Sequence, residues 1–264
     1  MTGSQHLTPD LALAQRHLTL LDEDAESFVF QTFDDNKKCK DTALARTLHG
    51  TLDQHKDQLI TLSKRGAGVF ITLNYSSNGG RKKSDIDGYR VIFREADEPG
   101  LPPLPLEPHI RIESSPGKHH EYLLIDRTED GATWDAIMAT MVNDHGSDPN
   151  AKDRSRVLRL AGFPHQKDPD NPHMVTIVHE SGAQPYSIEQ VAKYIPPTIK
   201  VKVRPTEVTS NGVFTESDPA YNMTNPVTKA SIYDLAKKCG WDGQAPWPEP
   251  LPLPAGLPPV EAFD

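Results

Sequence analysis

The sequence predicts a mixed α/β or α+β domain, and three observations carry that expectation. Apolar residues recur at helical spacing in three segments, 9–21, 51–65 and 131–145. Between and after these lie short runs rich in β-branched and aromatic residues, such as Phe28–Phe33, Val69–Leu73, Tyr89–Phe93 and Met174–Val178. Strands and helices therefore alternate along the chain instead of being segregated, as a layered architecture requires. The chain has 264 residues, enough for one large domain or one domain with an appendage.

The elements follow in order. Leu11, Leu13, Ala14, Leu18 and Leu21 form an amphipathic face behind Thr8-Pro9, a helix start. Phe28–Phe33 is the first strand, ended by Asp34-Asp35-Asn36. Leu52, His55, Leu59 and Leu62 mark the second helix, stopped by Gly66. After the strand 69–73 comes a polar loop ending in Arg81-Lys82-Lys83, then the strand 89–93. His109–Glu113 and His119–Ile125 read as a strand pair joined by Ser114-Ser115-Pro116-Gly117-Lys118. Trp134, Ile137, Met138 and Met141 identify a third helix. Val157–Leu160, flanked by Arg154, Arg156 and Arg159 and closed by Gly162-Phe163-Pro164, reads as a strand running into a turn. Ser187 is placed to cap a last helix start. Beyond 196 the pattern weakens to a short strand at 200–204, a linker, and a short helix at 231–239. From 246 follows a tail whose alternating prolines favour polyproline II. The expected organisation is a domain over 1–196, a small appendage over 197–245 and a Pro-rich tail or linker over 246–264.

Bulk properties narrow the function. No apolar run reaches membrane-spanning length and no signal-peptide core opens the chain, so a soluble cytoplasmic protein is expected. Only Cys39 and Cys239 are present, too few for a structural zinc site. A net charge of -9 argues against a general nucleic-acid coat protein but leaves room for a local basic cleft.

Three constellations carry chemistry. Glu95 and Asp97, one residue apart at a strand end, share a face by strand alternation and offer hard oxygen donors suited to Mg2+ or Mn2+. An acidic strand end facing solvent has the same pattern. The turn Ser115-Pro-Gly-Lys118 offers backbone amides, a hydroxyl and an ammonium to an anion, with His120 on the next strand. An ordinary hairpin turn fits it equally. The segment Asp153–Lys167 gathers Asp153, Arg154, Arg156, Arg159, His165 and Lys167 around a short strand. Arginine is the residue of choice for gripping phosphate in fixed geometry, although a salt-bridged strand end reads the same way.

In this order, the three motifs resemble the archaeo-eukaryotic primase superfamily, and most closely its RepB-type DNA-primase domains of plasmid and phage replication proteins. The resemblance runs from about Leu18 to Glu180. It is carried by Phe30-Gln-Thr-Phe-Asp-Asp35, Leu48–Asp53, Gly66–Phe70, Glu113–Lys118 with His120, and Arg156–Phe163 with His165 and Lys167. It implies an α+β fold of mixed or antiparallel sheets flanked by helices, a primase-polymerase catalytic core with an RRM-like half. It implies a nucleotidyltransferase that joins nucleotides on single-stranded DNA, with nucleoside triphosphates as substrates and magnesium or manganese as cofactor. Glu95, Asp97 and Asp153 would then be the metal-holding catalytic carboxylates. Ser115, Lys118, His120, Arg156 and Lys167 would hold the nucleotide, with Lys118 and His120 as two cations. Arg81, Lys82, Lys83, Arg154, Arg159 and His165 would lie along nucleic acid, Arg159 being also a candidate partner for a buried acid.

Alternation along the arginine strand puts Arg154 and Arg156 on one face and Arg159 on the other. Arg94 should point away from the carboxylates. The chain departs from the family pattern at Glu95, where aspartate is usual, at Glu98, where glycine often follows, and at Ala161, where proline is usual. Those departures support an alternative, a catalytically weak nucleic-acid-binding replication accessory. A Gly-x-x-x-x-Gly-Lys-Ser/Thr motif is missing, so a helicase-type ATPase partner would sit on a separate or truncated chain.

Overall fold

In the computed structural model, residues 7–36, 38 and 40–198 are described. The expected strand at 200–204, the helix at 231–239 and the Pro-rich tail lie outside them.

Two four-stranded antiparallel sheets form the frame. The first has the order β2-β1-β3-β7, built from β1 (Phe28–Asp34), β2 (Arg46–Gly50), β3 (Ala67–Thr72) and β7 (Val157–Arg159). The second has the order β10-β5-β6-β4, built from β4 (Tyr89–Ala96), β5 (Ile110–Ser115), β6 (Lys118–Thr128) and β10 (Thr176–Glu180). A short pair, β8 (Pro164–His165) and β9 (His173–Met174), completes the strands. The expected α+β class with antiparallel sheets is what the chain adopts.

Local chemistry explains the helices. α1 (Leu11–Leu21) is capped by the Asp10 carboxylate, which accepts the Leu13 N–H. α2 (Leu52–Lys64) has a full capping box, Thr51 and Gln54 each bonding the other's backbone. α3 (Gly131–Asp144) starts at Asp130, whose carboxylate accepts two N–H groups. α4 (Ile188–Tyr194) starts at the expected Ser187 cap.

One apolar core joins α1, α2 and α3 to both sheets. Trp134 of α3 anchors the second sheet. It is fully buried, stacks on Tyr89, and donates its indole N–H to the Val91 carbonyl at 2.8 Å. The β5–β6 turn is tight because only Pro116 and Gly117 separate the strands, and Gly117 takes φ +73°, a conformation open to glycine.

β4 is buried along its whole length, charged residues included. Arg94 points away from the cavity, as alternation requires. It bonds the Glu121 carboxylate at 2.6 Å and two backbone carbonyls, so its charge is fully engaged. Among the described residues no helix is long and apolar enough to cross a membrane.

Candidate functional site: a cavity between the two sheets

A cavity of about 790 Å³ opens where β1, β3 and β7 of the first sheet meet β4, β5 and β6 of the second. The second sheet contributes Glu95, Asp97, Ser115, Lys118 and His120. The first sheet and the segment after it contribute Phe33, Asp35, Phe70, Arg156, Arg159, His165 and Lys167. Residues far apart in sequence are thus gathered on one surface.

Glu95 and Asp97 share the cavity face, as their spacing predicts. Glu95 sits at the end of β4 opposite His120 of β6, and Arg156 donates to its carboxylate at 2.6 Å. Burial pushes the Glu95 carboxyl up. The Arg156 guanidinium opposes that shift, and the neighbouring charges of Asp148 and Asp97 add to it. Asp97 is exposed, with Lys118 Nζ 3.2 Å from its carboxylate.

Asp153 does not behave as expected. It is exposed, is not among the cavity-lining residues, and accepts a hydrogen bond from the Ser155 hydroxyl at 3.0 Å. The reason is local: β7 begins only at Val157. Asp153 therefore lies in the turn before it, where its carbonyl accepts the Arg156 N–H. The acid whose charge is felt at Glu95, together with that of Asp97, is Asp148, which also does not line the cavity. The loop carrying it docks on the free edge of β4, Asp148 N–H bonding the Glu95 carbonyl at 3.2 Å and Ser147 Oγ accepting the Glu95 N–H at 3.1 Å.

Among the described residues, no three aspartate, glutamate, histidine or cysteine side chains are grouped as a metal-binding set. The expected convergence of Glu95, Asp97 and Asp153 is therefore not seen. In kind, the donors still suit a hard divalent cation. Glu95 and Asp97 both face the cavity, and the charges of Asp148 and Asp97 are part of what lifts Glu95.

His120 lines the cavity but is not the cation expected of it. Burial lowers its pKa to about 3, helped by the charges of Arg159, His17, Arg156 and His165, so at neutral pH it is an uncharged imidazole. Lys118 is the cation of that turn. Ser115 stands beside it on the cavity wall.

The three arginines separate differently from what alternation predicts. Arg156 and Arg159 both line the cavity, while Arg154 leaves it to bond Asp135 at 2.7 and 2.8 Å and the Gly131 carbonyl of α3. Alternation fails because Arg154 and Arg156 precede the three-residue strand. Arg159 forms a bidentate pair with the buried Asp35, at 2.8 and 3.1 Å, and stacks on Phe70. Asp35 also accepts the Gln166 N–H at 2.8 Å. Gly68 leaves the room for this pair, since a Cβ there would stand 2.4 Å from the Asp35 carboxylate. His165 Nδ1 lies 2.9 Å from the Ser114 carbonyl and ties the two walls together.

Arg81, Lys82 and Lys83 are not among the cavity-lining residues. Lys83 faces Asp135 at 3.5 Å, the same acid that holds Arg154. Arg81 turns inward to Gln31 and lies over the Phe33 ring. Asp35, Asp148, Phe33 and Phe70 were given no role from sequence. Asp35 ends the Phe30–Asp35 segment that carries part of the resemblance, and Asp148 stands in an Asp-Pro pair.

The fold is similar to that of solved primase and primase-polymerase structures. The AEP domain of the primase-polymerase of cyanophage S-2L superposes with a TM-score of 0.57 at 20% identity, over 72% of this chain and all of that one. Primase RepB′ superposes with a TM-score of 0.51 at 15% identity, over 69% of this chain and 62% of that one. In sequence, the family model of the RepB DNA-primase N-terminal domain matches residues 86–202, which contain the carboxylate strand, the Ser115–His120 turn and the arginine segment. The chain is thus similar to RepB-type primases in both sequence and fold. No curated protein matches it in sequence.

Proposed function

We propose that this chain is a metal-dependent DNA primase or primase-polymerase domain that joins nucleotides on a single-stranded DNA template in plasmid or phage replication. The observation that carries the reading is the cavity itself. It sets Glu95 and Asp97 beside Ser115, Lys118 and a neutral His120, with Arg156 and Lys167 across from them. A residue set of this kind serves phosphoryl transfer, where positioning and charge compensation supply most of the catalysis. The match of residues 86–202 to the RepB DNA-primase domain supports the same reaction class.

In this reading Glu95 and Asp97 would hold Mg2+ or Mn2+, with the charge of Asp148 adding to the negative field at Glu95. When bound there, the ion would supply Lewis-acid chemistry to the reacting phosphate and hydroxyl. Lys118 and the Ser115 hydroxyl bind phosphate oxygens, and neutral His120 offers one N–H donor. Arg156 bridges the Glu95 carboxylate and the nucleotide, and Lys167 attracts the template. The catalytic domain extends to about residue 196.

The alternative, an accessory that binds nucleic acid without appreciable turnover, draws on one observation: Arg156 already occupies Glu95 at 2.6 Å. One assay separates the two. Labelled deoxynucleotide or ribonucleotide incorporation on a single-stranded template is measured with Mg2+ or Mn2+, for the native chain, Glu95→Gln and Asp97→Asn. The primase reading expects metal-dependent incorporation, reduced roughly 100-fold or more by either substitution, with the thermal transition nearly unchanged. No incorporation by the native chain, with DNA still bound, selects the accessory. Incorporation that survives both substitutions refutes the assigned site.

A further inference from the structure

The first-sheet wall of the cavity carries a feature that phosphoryl transfer does not use. Phe33 is 38% exposed, one of three large apolar side chains left so among the described residues. It belongs to a short aromatic stack. Phe70 meets it edge-on with ring centroids 5.7 Å apart, Arg81 lies over the Phe33 ring at 5.4 Å, and Arg159 lies over Phe70 at 4.7 Å. Both rings line the cavity.

We propose that Phe33, backed by Phe70 and flanked by Arg81, is a stacking platform for a nucleobase. This rests on the primase reading and deepens it by naming where a base sits. The carboxylates and the Ser115–Lys118 turn occupy the second sheet's wall, so a nucleotide with its phosphates there has its base free to reach the first.

Two observations point to a base in preference to an apolar partner. The exposed ring is flanked by cations, and an aromatic face beside a cation is the usual means of holding an unpaired base without reading its sequence. Arg81 itself is half-buried and makes no ion pair with a carboxylate among the described residues. It donates to Gln31 Oε1 at 2.7 Å, while its Nε is buried without a partner. Burial lowers the Arg81 pKa, with the charge of Asp153 opposing. A desolvated guanidinium with spare donors favours a ligand that brings acceptors, as a base edge or a phosphate does. Gln31 fixes this arrangement from below, since it also accepts the Thr47 hydroxyl at 2.7 Å.

The test uses the full chain carrying Phe33→Trp, titrated separately with a nucleoside triphosphate, a single-stranded oligonucleotide and inorganic tripolyphosphate. Stacking predicts saturable quenching beyond that of the native chain with a base-bearing ligand and none with tripolyphosphate. Quenching by the triphosphate alone assigns the base to the incoming nucleotide, and quenching by the oligonucleotide alone assigns it to the template. Both outcomes support the platform. Phe33→Leu, which keeps apolar bulk but loses the ring, should weaken that same ligand on the order of 10-fold, with Phe33→Tyr close to native and thermal transitions unchanged. Quenching by tripolyphosphate as well overturns the proposal. So do unquenched Phe33→Trp and unaltered Phe33→Leu affinity in a chain whose native form still binds and incorporates; the primase reading then stands. A native chain that binds neither ligand and incorporates nothing removes the reading and the platform together.

Discussion

The side chains around the cavity differ in how far sequence alone could place them. Glu95 and Asp97 were legible because a two-residue spacing on a strand fixes a common face whatever the rest of the chain does. Asp35 was not, since its role depends on Arg159, 124 residues away. The charge state of His120 was equally hidden, because burial decides it and burial is a property of the whole fold. His17 is the simpler case. It is fully buried in α1, stacks on Tyr122, and accepts the Ala161 N–H through Nδ1 at 3.1 Å. Burial holds its pKa at about 3. The folded pKa lies below the unfolded value of about 6.5, so between the two the unfolded chain binds the extra proton. Stability should therefore fall as pH drops from about 6.5 toward 3, by up to roughly 1.4 kcal/mol per pH unit from this residue. Urea unfolding at pH 7 and pH 4 tests it. His17→Gln, which keeps an acceptor for Ala161, should lose part of that pH dependence, and an identical profile in the variant would show that His17 does not titrate on unfolding.

Elements with strong local signals were readable, and those held by partners were not. The three long helices and the β5–β6 hairpin follow from apolar spacing, capping residues and the Pro-Gly turn. β2 was missed because Arg46-Thr-Leu-His-Gly50 is an edge strand with little buried surface, and its pairing to β1 defines it. The break after β7 shows the same dependence. Gly162 takes φ +83° and presses against α1, where its carbonyl accepts the Asp10 N–H at 2.7 Å. An added Cβ would stand 2.2 Å from the Asp10 carbonyl oxygen and 2.8 Å from the Ala14 nitrogen, backbone atoms that cannot swing aside. Gly162→Ala should therefore destabilise the fold by on the order of 2 kcal/mol or more, combining unfavourable φ with displacement of α1. A thermal transition within a degree of native would mean that α1 is not held at this point. Because the same turn carries the chain from Arg159 to His165, partial loss of nucleotide binding should accompany the loss of stability.

At the scale of the whole molecule, the net charge of -9 has to be reconciled with a polyanionic template. Two of the four lysines and arginines that line the cavity are neutralised internally. Arg156 pairs with Glu95 and Arg159 with Asp35, so neither is a free charge. Lys118 is only loosely held by Asp97, both being half-exposed at 3.2 Å, and such a pair is easily exchanged for phosphate. Lys167 lines the cavity in an exposed position. With Arg81 and the exposed Lys82, which lie outside the cavity lining, about four cations remain to meet a strand. Each phosphate neutralised on single-stranded DNA contributes a slope of about -0.7 to log affinity against log salt, so the chain should show a slope of roughly -2 to -3. Lys167→Gln should reduce its magnitude by about 0.7, whereas Arg154→Gln, whose guanidinium is committed to Asp135, should leave it unchanged. An affinity flat in salt would remove the basic path through the cavity. A slope near -4 would require the paired arginines to abandon their acids for phosphate, which would recast Glu95–Arg156 and Asp35–Arg159 as latches that the template opens.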